Sequence, residues 1–272
     1  MKQIREPSVA GMFYPSSPSK LREEIQILLD TSKPSENIEN VTGIVSPHAG
    51  YIYSGKTAAY AYNVIKNKDY KTVIIISPSH REYFAGISIY NGDAYKTPLG
   101  EVEIDKNMAS QLISESKIIF EGIQGHRAEH AVEVQIPFLQ MVLDDFKIVP
   151  IVMGDQNRIF VYELAEKLSR VINNQTLIIA SSDLSHYYSK RTANELDSIV
   201  EKHIQNFDYE GLQRDLENNR CEACGGGAIV ALMRTADLIQ KRKSKVLHRS
   251  DSGDVSGDNS EVVGYLSAAI YN

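Results

Sequence analysis

Three histidines in this chain close the same local pattern. A β-branched run ends in serine, then proline or aspartate, then histidine: Ile44-Val45-Ser46-Pro47-His48, Ile75-Ile76-Ser77-Pro78-Ser79-His80 and Ile179-Ala180-Ser181-Ser182-Asp183-Leu184-Ser185-His186. Imidazole titrates near neutral pH and is the commonest metal ligand. In open α/β sheets, ligands sit outside the carboxyl ends of the strands. Histidines placed just past three strand ends can therefore converge on one point. Pro47 and Pro78 stop the ladder and fix the turn that presents each side chain.

A second chemical element stands far along the chain. Cys221-Glu222-Ala223-Cys224 precedes Gly225-Gly226-Gly227 and a helix. A thiolate is stabilised near a helix N-terminus, and glycines let backbone approach a ligand closely. The chain has only these two cysteines, so a four-cysteine zinc site within it is excluded. A thioredoxin-like pair lacks the early βαβ unit it would need. Two buried, inert thiols remain an alternative to the reading preferred here, in which Cys224 joins the histidines as a metal ligand.

Other polar groups are less specific. His130 and Glu133 lie three apart and share a face if a helix has begun there, either as an acid/base group behind the site or as an ion-pair face. His126 falls in a loop with Gly122 and Gly125 and is expected to be mobile. His203 and His248 read as structural or solvated. The run from Asp251 to Asp258 fails the EF-hand pattern, because Gly253 stands where Asp or Asn is needed. It reads as a turn-rich loop near the site edge. Tyr51-Ile52-Tyr53 can wall a pocket with aromatic rings. No P-loop, dinucleotide fingerprint or Gly-x-Ser-x-Gly elbow occurs, which weighs against nucleotide chemistry and an α/β-hydrolase.

The elements that must position these groups alternate. Strands are expected at 43–46, 72–76, 147–152, 176–180, 245–248 and 262–270. Helices are expected at 19–29, 54–66, 105–116, 130–143 (with Pro137 bending the helix or delaying its start), 159–172, 192–207 and 226–241. Residues 85–103 read as a hairpin excursion turning at Asn91-Gly92-Asp93. Strands separated by helices imply an α/β fold: one domain over 1–272, with a mostly parallel central sheet flanked by helices.

With 272 residues, 42% hydrophobic and 24% charged, the composition is that of an ordinary globular protein. A net charge of −6 argues against duplex nucleic acid as the main partner, and Lys241-Arg242-Lys243 reads as a solvated helix end. No run approaches the roughly 20 apolar residues that span a bilayer. The N-terminus lacks the apolar core of a signal peptide, so no membrane role and a cytoplasmic address are expected.

Taken together, several segments resemble the Memo family nearly end to end. They are Ala10-Gly11-Met12-Phe13-Tyr14-Pro15, Ser46-Pro47-His48-Ala49-Gly50-Tyr51, Ser77-Pro78-Ser79-His80, Glu129-His130 with Glu133, Ser181-Ser182-Asp183-Leu184-Ser185-His186, Cys224-Gly225 and Val263-Gly264-Tyr265. The resemblance implies a fold like that of class III extradiol dioxygenases, which use non-haem Fe(II). It implies a metal site of His48, His80 and Cys224, lined by His186, Asp183 and His130. Microbial members resemble partners of a radical-SAM protein and an AMME-type domain protein. Animal members are associated with cell-motility signalling and with binding iron or copper.

One departure matters. Extradiol dioxygenases bind iron through two histidines and a carboxylate, whereas a thiolate here would favour Cu(I), Zn or a more covalent iron site. Glu222 as the substitute carboxylate is the less favoured alternative to Cys224. The reading is an Fe(II)- or copper-dependent redox enzyme in which His186 and His130 are acid/base groups and Asp183 orients His186. A non-catalytic module for a metal, peptide or small ligand is the alternative, and a zinc hydrolase with the same ligands is a third.

Overall fold

The computed structural model describes residues 2–272. The chain opens with β1 (Ile4–Arg5), α1 (Pro18–Thr31), β2 (Val41–Ser46), α2 (Tyr51–Ile65) and β3 (Thr72–Pro78). Strands β4 (Ile87–Tyr90), β5 (Ala94–Thr97) and β6 (Gly100–Glu103) lead to α3 (Lys106–Ile113) and β7 (Ile119–Gly122). A 3-10 turn at Glu133–Gln135 runs into α4 (Ile136–Val142), β8 (Lys147–Met153), α5 (Arg158–Val171) and β9 (Thr176–Ser181). The remainder comprises β10 (His186–Tyr188), α6 (Lys190–Gln205), α7 (Tyr209–Glu217), α8 (Gly226–Leu238), β11 (Lys243–Asp251), α9 (Gly253–Ser256) and β12 (Val262–Tyr271).

The main sheet runs β10-β12-β2-β9-β3-β8-β4-β7, with β11 also paired to β12. Its centre, β2-β9-β3-β8, is parallel. Antiparallel pairings to β12 and β4 flank that centre. Every residue of β2, β3 and β9 is buried, which explains their continuous apolar runs: parallel strands covered on both faces have no solvent side. Side chains alternate between two cores with the strand period of two. Ile44, Ile75 and Ile179 pack with Leu21, Tyr62 and Phe138 of α1, α2 and α4. Val45, Ile74, Ile76 and Ile178 pack with Leu164 and Leu168 of α5 and Ile229 and Leu232 of α8.

The α/β expectation therefore holds, with antiparallel margins that the strand–helix alternation did not reveal. One local expectation changes. The turn at Asn91-Gly92-Asp93 does not join a hairpin. β4 stays in the main sheet, whereas β5 pairs with β6 and β1 in a separate three-stranded sheet. The apolar pattern changes core at this turn: Ile87 and Ile89 belong to the second cluster, Tyr90 and Tyr95 to the first. Of the two roles open to Pro137, the delayed start holds: residues 130–132 are not helical and the α-helix begins at Ile136, so Pro137 occupies the first turn, where its missing N–H leaves no bond unmade.

The order β2-β9-β3 positions the site. β9 lies between the strands that end at Ser46 and Pro78. With strands about 4.8 Å apart, the loops after β2 and β3 start roughly 10 Å from each other and face across the end of β9. β12 runs past the end of β2, and its first residues hold β10, beginning at His186, beside that edge. Among the described residues no helix is long and apolar enough to cross a membrane.

Candidate metal centre

Ligand atoms of His48, His80 and Cys224 lie within 4.8 Å of one another beyond the carboxyl ends of the parallel strands. The His48 and His80 rings meet edge to face, 5.1 Å between centroids. His48 Nε2 is 3.2 Å from Cys224 Sγ.

The buried environment fixes how His48 is presented. Ser181, the last residue of β9, places its Oγ 2.9 Å from His48 Nδ1. That hydroxyl donates its only proton to the Ala131 carbonyl at 2.7 Å and accepts from Gln135 Nε2 at 2.8 Å. Ser181 must therefore accept from His48, so Nδ1 carries the proton and Nε2 faces Cys224 with a lone pair. Burial, then the nearby His80, hold the His48 imidazole down to about 3, so the ring is neutral at physiological pH.

His80 is the more open ligand, its side chain 29% exposed. Behind it stands Glu129, a buried carboxylate 2.9 Å from His80 Nδ1, which also accepts the His80 backbone N–H at 2.6 Å. Burial works to raise the Glu129 carboxyl, but its bonds to His80 and Ala131 outweigh that and hold it at about 2.

Cys224 is carried by a loop zipped to the turn after β9. Its backbone N–H donates to the Asp183 carbonyl at 3.1 Å, and its sulfur accepts the Asp183 N–H at 3.2 Å. Gly225 continues the contact, donating to Ser182 Oγ at 2.9 Å. A Cβ there would lie 2.2 Å from the Ser181 carbonyl oxygen, so only glycine permits this approach. The helix N-terminus does not lower this thiol: burial, then the Asp183 carboxylate, push the Cys224 thiol well above the ordinary thiol range.

The neighbours sort differently from expectation. Asp183 accepts the His48 backbone N–H at 2.8 Å through Oδ1, and burial raises its carboxyl above the usual range. It braces His48 and the Cys224 loop, whereas the carboxylate nearest His186 is Glu222, 3.7 Å from His186 Nδ1. His186 is one-quarter exposed at the mouth of the site. The His130 ring stacks on His80 at 4.9 Å and meets His48 edge-on at 5.4 Å, with Phe13 against it at 4.8 Å. Burial, then His48, lower His130 to about 4.

Glu133 is not part of this chemistry. It is buried and bound by Arg5, the Tyr14 hydroxyl and the backbone N–H groups of Ser8 and Val9. His126 is fully buried rather than mobile, donating from Nε2 to the Ser88 carbonyl at 3.2 Å and accepting from the Tyr95 hydroxyl at 2.8 Å. His203 bridges Asp208 and Asp215. His248 stacks on Tyr60 and bonds Thr57. Cys221 is buried in the core, and burial pushes its thiol up to about 12. Tyr51 is a core residue, and only Ile52 and Tyr53 of its segment reach solvent. In the Asp251–Asp258 loop, the Lys190 ammonium supplies the counter-charge to Asp251 and Asp254.

What Ser181, Gln135 and Glu129 do is not written in the local sequence. The serine closing each strand was visible, as was Glu129 beside His130. Their service to His48 and His80 depends on contacts 133 and 49 residues apart.

Residues 5–269 match the family model for a Memo-like protein. The chain is similar to a MEMO1 family protein of Thermoplasma volcanium, 39% identical over 97% of each chain. It is 38% identical to one from Thermotoga petrophila, over 98% of this chain and 99% of the relative. It is 36% identical to one from Methanosarcina barkeri, over 98% of this chain and 100% of the relative.

Proposed function

Because the chain belongs to the family of Memo-like proteins, we propose that its strand-end cluster holds one redox-active metal ion, Fe(II) or copper, between His48, His80 and Cys224. The observation that carries this reading is the gathering of those three ligand atoms within 4.8 Å, with each imidazole backed at Nδ1. Two neutral imidazoles and a thiolate suit iron, copper or zinc, and leave positions for an outside ligand. When bound, such an ion supplies electron transfer and a Lewis-acid contact.

The chain's own residues account for the rest. His48 is sealed from solvent and held at both its ring and its backbone. Neutral His130 lies deeper than His186 and is placed to take a proton from a ligand entering past His80. His186, beside Glu222 at the mouth, is open to solvent. Asp183 ties His48 to the Cys224 loop, so the two halves of the donor set move together.

A second reading rests on Cys224. A soft thiolate where extradiol dioxygenases use a carboxylate suits a module that holds a metal, peptide or small ligand without turnover. Oxygen uptake with a panel of catechols and related phenols separates the two. Metal-dependent uptake that disappears in His186→Ala supports the enzyme. Binding of a phenol with no uptake supports the module.

A further inference from the structure

The loop at Glu129 sets one carboxylate against two imidazoles. Glu129 Oε1 is 2.9 Å from His80 Nδ1 and 3.2 Å from His130 Nδ1, and the two rings are stacked with an interplanar angle of 26°. Oε1 also accepts the backbone N–H groups of His130 at 2.8 Å and Ala131 at 3.0 Å, while Oε2 takes the N–H of His80. A cation bound among His80, Glu129 and His130 is the other use of this triad. In that use Glu129 would give up hydrogen bonds that it makes to the loop backbone.

A carboxylate oxygen attracts an N–H and repels a lone pair. His80 Nδ1 therefore carries its proton. His130 Nδ1 is buried without a hydrogen-bond partner and faces the same oxygen. A proton there faces the carboxylate at 3.2 Å, and a lone pair there would face another lone pair.

We propose that Glu129 is a positioning residue shared by two histidines: it holds both His80 and His130 as Nδ1–H tautomers, so that both Nε2 lone pairs serve the site, one as a metal ligand and one as a base. The ligand half rests on the metal reading above. The tautomers hold with or without an ion. A further consequence is that the two histidine ligands are unequal. His80 is backed by an anion and His48 by the neutral Ser181 hydroxyl, which makes His80 the stronger donor.

The test is NMR of metal-free protein labelled with 15N-histidine, reading two-bond nitrogen–proton couplings, with signals assigned by His80→Gln and His130→Gln. The expected result is Nδ1–H on both rings. Nε2–H on either ring overturns the proposal. Glu129→Gln then removes the charge with little change of shape. His80 should lose its single tautomer, and zinc(II), used as a redox-silent probe in chelator competition, should bind about 10- to 100-fold more weakly. Unchanged tautomers and unchanged zinc affinity would overturn the proposal, and if Glu129→Gln fails to fold the wild-type spectrum alone decides. A wild-type protein that takes no zinc, yet shows Nδ1–H on both rings, would sink the metal reading and leave the positioning role standing.

Discussion

Ser181 Oγ accepts the Nδ1 proton of His48 at 2.9 Å while its own proton is held by the Ala131 carbonyl. One hydroxyl thus joins the end of the central strand, the loop before α4 and the most buried histidine of the site. Ser181→Ala strands the Nδ1–H of His48 in a dry environment. It should lower stability by about 1–3 kcal/mol and weaken zinc binding by about tenfold or more. Denaturant unfolding and chelator competition measure both. A variant with unchanged metal affinity would show that His48 is held by its other contacts alone.

Arg5 and Glu133 form a buried ion pair between β1 and the loop that carries Glu129 and His130. Arg5 also donates to the carbonyls of His126 and Glu129, so one guanidinium ties down the backbone on both sides of the loop. Arg5→Ala leaves the Glu133 carboxylate buried without its counter-charge and should cost about 3–5 kcal/mol. Glu133→Gln removes the charge but keeps a polar partner, and should cost less. Urea unfolding midpoints at constant slope give the comparison. A loss below about 1 kcal/mol in Arg5→Ala would contradict the clamp.

His126, which is not one of the candidate ligands, gives a pH signature. Burial chiefly lowers its imidazole from the ordinary 6.5 to about 3. The unfolded chain therefore takes up a proton there that the folded chain refuses. Its contribution to stability is full above about pH 6.5 and is lost as pH falls from there toward 3. His126→Gln keeps a donor for the Ser88 carbonyl and cannot titrate. Its unfolding free energy should fall less steeply than wild type between pH 6.5 and 4. Parallel slopes would rule out a neutral, buried His126.

The sheet centre and the strand-end histidines were legible because both depend on short local patterns. β-branched runs report burial on two faces, and a proline or aspartate after each run reports the turn. What stayed hidden was set by distant pairing. Nothing near Asn91-Gly92 says that Tyr95 joins a different sheet from Ile89. Glu133 reads like any acid three residues from a histidine until Arg5 arrives from the first strand. His126 seemed mobile between glycines because its partners, Tyr95 and Ser88, come from elsewhere in the chain. Cys224 is legible through its glycines, whereas the closeness of Glu222 to His186 comes from segments far apart in the chain.

If His48, His80 and Cys224 jointly hold one ion, metal analysis after anaerobic purification will find it. The wild-type chain should carry about one iron or copper ion per molecule, as a single three-ligand site requires. His80→Ala and Cys224→Ala, each folded by circular dichroism, should lose nearly all of it. Full metal stoichiometry in both folded variants would mean that the ion is held elsewhere.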